Sequence, residues 1–127
     1  MNSVNKFPEN FYNHLRNNTM VEIKAGLTRD KFTGIWMVNV NERVFARTWE
    51  KSDKGWFAGL LKDGVGTIKY GNNTLKVYAK KNNDPIVNKL VDKAYLDKYS
   101  QPENLIYAEG ITRKEYSEYT VELFFSK

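Results

Sequence analysis

Hydrophobic positions change spacing several times along the chain, and each change marks an element. Phe7, Phe11 and Leu15 stand four apart around Pro8, the stripe of a short amphipathic helix over residues 7–16 with proline at its first position. After Asn17-Asn18-Thr19 the spacing drops to two. Val21, Ile23 and Ala25 then alternate with Glu22 and Lys24, which predicts a strand with one buried face. The run from Ile35 to Val40 is apolar at nearly every position, as expected of a strand covered on both faces or closing a barrel, and reads as the best candidate for a central strand. Asn41-Glu42 leaves two residues before the β-branched and aromatic stretch from Arg43 to Trp49, so a tight hairpin is expected.

A charged loop, Glu50 to Gly55, leads into Trp56, Phe57, Leu60 and Leu61 at helical spacing. Residues 65–70 and 74–80 flank Gly71-Asn72-Asn73 and predict a second hairpin. Asn83-Asp84-Pro85 is a helix start, and Ile86, Val87, Leu90, Val91, Ala94 and Tyr95 line one face as far as Tyr99. Gln101-Pro102 ends that helix, and residues 104–117 show no clear period. Tyr119, Val121, Leu123 and Phe125 then alternate with Thr120, Glu122 and Phe124 as a closing strand. The order of elements predicts an α+β fold, a six-stranded antiparallel barrel with flanking helices, because open edges would have to be hidden. With 127 residues and no linker or repeat, residues 1–127 are expected to form a single domain.

Composition narrows the chemistry. With no cysteine, neither a disulfide, a thiolate metal cluster nor a cysteine nucleophile is available. His14 is the one histidine and is expected on the surface without a role. No apolar run approaches the roughly 20 residues that cross a bilayer, and the amino terminus lacks a secretory stretch, so a cytoplasmic location is expected. The net charge of +5 suits phosphate-bearing ligands or nucleic acid. Lys76 to Lys81 alternates basic and aromatic residues as a nucleic-acid platform would, but charge is dispersed over the chain, which disfavours that partner. Asp92 and Asp97 interleave with Lys89, Lys93 and Lys98 as on a solvated helix face. Gly64-Val65-Gly66 precedes a strand and reads as turn chemistry.

Arg47, Thr48 and Lys54 lie around one polar loop, and the helix beginning near Gly55 aims unpaired amides toward the same place. A guanidinium fork, a hydroxyl and an ammonium suit a phosphate dianion. The competing reading pairs Arg47 with Glu50 or Asp53 in a solvated loop. Trp36 is expected in the core, whereas Trp49 and Trp56 border the loop, where one of them could wall a pocket.

The segment GIWMVNVNERVFARTWEKSDKGWFAGLLKDGVGTIKYG, Gly34 to Gly71, resembles the central part of the flavin-binding split-barrel superfamily, which includes pyridoxamine-phosphate-oxidase-like proteins and flavin reductases. It is similar in particular to a small bacterial branch without assigned function. The resemblance implies a six-stranded split barrel and a homodimer with FMN at the subunit interface. It also implies a phosphate held by Arg47 and Thr48 with Lys54, Ser52 standing at the serine position two before the lysine. Trp49 replaces a residue that is small in many relatives, and Lys62-Asp63-Gly64 replaces an Asn-Pro turn. The expectation is a small split-barrel protein that binds FMN or a similar phosphorylated ligand for redox chemistry. Arg47, Thr48, Ser52 and Lys54 would hold phosphate, with Trp49 and Trp56 beside the ring. The alternative is a non-catalytic dimeric binding module whose pocket is closed or remodelled. No catalytic acid or base is identifiable.

Overall fold

The computed structural model describes residues 6–26, 31–50 and 55–126. Seven strands, β1 (Val21–Ala25), β2 (Thr33–Ile35), β3 (Val38–Val40), β4 (Arg43–Arg47), β5 (Val65–Tyr70), β6 (Asn73–Lys81) and β7 (Thr120–Phe125), form one sheet. Its order is β2-β1-β5-β6-β7-β4-β3, with every neighbouring pair antiparallel. The two outermost strands, β2 and β3, are consecutive in the chain, separated by Trp36 and Met37 alone. Three peptide units from Ile35 to Val38 reach at most about 11 Å. A flat sheet of this strand number would hold its edges about 29 Å apart. The sheet must therefore curl until its edges nearly meet, and the fold is a split barrel closed by the chain itself.

The expected central strand from Ile35 to Val40 is thus two short edge strands, which raises the count from six to seven. The break at Trp36-Met37 follows from what satisfies its backbone. Tyr99 Oη accepts from Met37 N at 3.3 Å, Lys98 Nζ donates to Met37 O at 2.7 Å, and Tyr95 Oη donates to Trp36 O at 3.5 Å. Helix side chains take the place of a neighbouring strand. Trp36 lies flat on Tyr99, ring centroids 3.7 Å apart and planes 5° from parallel. The apolar run reports real burial, under a helix instead of within the sheet.

Helix α1 (Glu9–Asn17) buries Phe11, Tyr12 and Leu15, and α2 (Trp56–Asp63) buries Trp56, Phe57 and Leu60. Both join the barrel interior of Ile23, Met37, Val44, Ile68, Val77 and Val121. Helix α3 (Pro85–Lys98) starts where Asp84 accepts from the backbone N–H groups of Ile86 and Val87. It buries Val87, Val91 and Tyr95, while Ile86 and Leu90 of the expected apolar face stand 73% and 43% exposed. Residues without a clear period form α4 (Pro102–Ile111) and a 3-10 turn, Lys114–Tyr119. Pro102 opens the new helix as well as ending the old one. Helices α3 and α4 pack on Val38 and Phe45 in a second core outside the barrel. Asn41 and Glu42 carry φ of 52° and 71°, the left-handed pair that a two-residue hairpin requires. No helix among the described residues is long and apolar enough to cross a membrane.

Candidate functional site

Strand β4 delivers Arg47 to the place where α3, α4 and β7 meet, and all three bind its side chain. The guanidinium is fully buried. Its Nε donates to Thr120 Oγ1 at 2.8 Å, and Nη2 donates to Asn88 O at 3.1 Å. Nη1 donates to the Asp92 carboxylate and to Ile111 O at 3.2 Å. The hydroxyl of Thr120 is fixed in turn, donating to Ser117 O at 2.9 Å. Four of the five guanidinium hydrogens are thereby engaged, leaving one on Nη2. The counter-ion, Asp92, is one of the carboxylates whose charge alternation suggested a solvated face; burial of Arg47 draws it inward. Arg47 N donates to Tyr95 Oη at 2.8 Å. Burial pushes the Tyr95 phenol far above its usual range, so its hydroxyl both accepts and donates as a neutral group.

Beside this junction lies a cavity of about 440 Å³ with Trp36, Trp49, Trp56 and Tyr107 among its walls and Arg47 and Thr48 on its lining. Thr48 is buried, and its Oγ1 accepts from Glu50 N at 2.9 Å. Among the described residues no acceptor takes the Thr48 hydroxyl hydrogen, a buried donor left without a protein partner. Trp49 is 48% exposed and meets Tyr116 edge-on at 5.1 Å. Gly110 lets it lie against α4, since a Cβ there would come within 2.9 Å of Trp49 Cη2. Trp56 is nearly buried at the first position of α2.

The structure brings Arg47, Thr48, Trp49 and Trp56 together on one cavity; Ser52 and Lys54 lie outside the described residues, as does Asp53. Trp36, expected wholly in the core, also reaches the cavity. Tyr95 and Tyr107 were not foreseen. Tyr107 belongs to α4, whose apolar residues Leu105, Ile106, Ala108 and Ile111 fall on both exposed and buried faces, so spacing gave no sign of its place. His14 is not among the residues lining this cavity; its Nε2 lies 3.3 Å from Met20 O. Among the described residues no group of His, Asp and Glu could hold a metal ion. The site offers flat apolar walls, one hydroxyl whose hydrogen has no acceptor among the described residues, and a cation largely occupied by the protein.

The same fold recurs in solved structures. The conserved hypothetical protein Rv2991 from Mycobacterium tuberculosis matches with a TM-score of 0.63 at 11% identity, over 99% of this chain and 83% of its own. A candidate pyridoxamine 5′-phosphate oxidase from Listeria innocua matches at 0.59 and 6% identity, over 93% and 90%. An F420-H2 dependent reductase, FDR-A, matches at 0.58 and 14% identity, over 84% and 93%. At such identities the likeness carries the fold alone, a split barrel with flanking helices. No curated protein matches it by sequence. Residues 14–123 match the sequence profile of DUF2255, described as an uncharacterized protein conserved in bacteria, and the chain belongs to that family.

Proposed function

We propose that the cavity beside Arg47 and Thr48 binds a flavin-type ligand. The observation that carries this reading is the pairing of aromatic walls with a buried Thr48 hydroxyl whose hydrogen finds no acceptor among the described residues. A flavin ring system is flat and apolar on its faces with polar atoms along its edge, and the residues present fit that description. The structural neighbours include a candidate pyridoxamine 5′-phosphate oxidase and an F420-H2 dependent reductase, which supports a ligand of this kind. In this reading Trp49 and Trp56 flank the ring, and Thr48 donates to the ligand.

FMN is the specific candidate, and its phosphate is the part the site meets least directly. The Arg47 fork is engaged by Asp92 and three neutral oxygens, so Arg47 offers one remaining N–H and otherwise holds Thr48 in place. Thr48, Ser52 and Lys54 would carry the phosphate contacts. A bound flavin would supply the redox chemistry, while the protein would position it and exclude water. Exposed Met20, Trp49 and Tyr107 rim the cavity, and a second copy of the chain covering that rim would bury them.

Titrating the purified protein with FMN and riboflavin, followed by tryptophan fluorescence and thermal shift, tests the reading. Binding of both ligands, weakened by Trp49→Ala, supports the ring site. Loss of the FMN preference over riboflavin in Thr48→Val supports the phosphate contact. If neither ligand quenches fluorescence or raises the melting temperature, the remodelled, non-catalytic pocket replaces this reading. Sedimentation velocity of the same sample tests the dimer.

A further inference from the structure

Helix α1, β3 and α3 line a second cavity of about 510 Å³. Leu15, Val38, Val40, Leu90 and Ala94 give it apolar walls, and Arg16, Lys93, Asp97 and Lys98 supply its charged groups. Those charges sum to +2. Arg16, from α1, lies 3.5 Å from Glu9, and Lys93 and Asp97, on α3, pair at 2.7 Å. Strand β3 contributes only the neutral amide of Asn39 to the polar lining. Lys98 differs from the other cations. Among the described residues no carboxylate lies within bridging distance of it. One of its three hydrogens goes to Met37 O at 2.7 Å, and its ammonium rests 5.2 Å from the Tyr99 ring.

We infer that this cleft is a second binding site, taking a carboxylate on a short aliphatic chain, with Lys98 as the anchor for the carboxylate and the Leu15, Val38 and Leu90 side chains as the wall for the chain. A partly desolvated ammonium with donors to spare is unfavourable alone and favourable beside an anion. Burial lowers the Lys98 amine to about 8. A bound carboxylate stabilises the charged form and raises it again. Binding therefore weakens as pH climbs past about 8, where the free protein loses the Lys98 proton.

Octanoate is the probe, with octan-1-ol as its uncharged counterpart. Methyl NMR of the wild-type protein is expected to shift Leu15, Val38 and Leu90, and the Lys98 side-chain titration is expected to move upward on saturation with octanoate. Lys98→Met keeps the aliphatic stem and should weaken octanoate at least about tenfold, a typical loss for a charge-assisted contact. Lys93→Glu, on the exposed rim, should weaken it about threefold by charge alone and serves if the first variant does not fold. The site is overturned if octanoate fails to bind, if octan-1-ol binds as tightly, or if the Lys98 titration does not move. Equal binding by a folded Lys98→Met would assign Lys98 only to holding the Met37 carbonyl.

Discussion

Replacing Arg47 with methionine deletes the guanidinium while keeping most of its stem, and the structure sets the size of the effect. The change strips a partner from Asp92, from Thr120 Oγ1 and from the carbonyls of Asn88 and Ile111. These losses are unequal. The Asp92 side chain is 34% exposed and Asn88 is half-buried, so water recovers part of both. Thr120 and Ile111 are dry and recover little. Breaking a buried ion pair with hydrogen-bonded neighbours costs about 3–5 kcal/mol. Against a total stability of about 5–15 kcal/mol, that is a large share, and the melting temperature should fall by roughly 10–20 °C. The measurement is urea unfolding followed by circular dichroism, on protein shown by its visible spectrum to carry no flavin. Asp92→Asn, which keeps a hydrogen-bond acceptor and removes the charge, should cost less than Arg47→Met. If flavin-free Arg47→Met is within about 0.5 kcal/mol of wild type, the range of an ordinary surface change, the guanidinium is not a structural clasp. Its role would then return to the ligand.

Other perturbations address other levels of the structure. Asp84→Ala removes the cap of α3 and should lower stability by about 1 kcal/mol, read from the urea midpoint; an unchanged midpoint would deny the cap its role. Gly66→Ala would place a Cβ 2.5 Å from Leu60 Cδ2 and 2.9 Å from Lys24 O, so β1 or α2 must shift. A loss of about 1–3 kcal/mol is expected in the same assay, and a stable variant would show that the barrel yields there. Between about pH 8 and the ordinary lysine value of 10.5, the unfolded chain holds a proton that the folded Lys98 has released. Stability of the wild type relative to Lys98→Met should therefore rise with pH across that window. A flat or falling difference contradicts the burial of the amine.

Much of the fold was legible because local pattern and burial agree. Phe7, Phe11 and Leu15 are buried as their spacing implies, the Asn41-Glu42 turn is the expected two-residue connection, the second hairpin turns at Gly71-Asn72 with Asn73 already in β6, and Asp84-Pro85 starts α3. The reading of Ile35 to Val40 went astray at one point: continuous apolarity records coverage on both faces without saying what provides it. Here Tyr95, Lys98 and Tyr99, some sixty residues later, interrupt the ladder at Trp36 and Met37. Helix α4 was hidden because its solvent face carries Leu105, Ile106 and Tyr107. At the site, the position of Arg47, Thr48, Trp49 and Trp56 on one cavity was accessible from sequence. The commitment of the Arg47 fork to Asp92 was not, because the pairing spans forty-five positions and nothing local distinguishes Asp92 from its neighbours.

Joining the first and last strands of the sheet through two residues also governs how copies of this protein can stick together. Fibril growth recruits a new chain along a long, bare flank of backbone donors and acceptors. Here each outermost strand offers only three residues, and Trp36, clamped on Tyr99, ties one flank to the other. Lateral recruitment would first have to peel that indole from its tyrosine, so the stack guards the chain against self-templating.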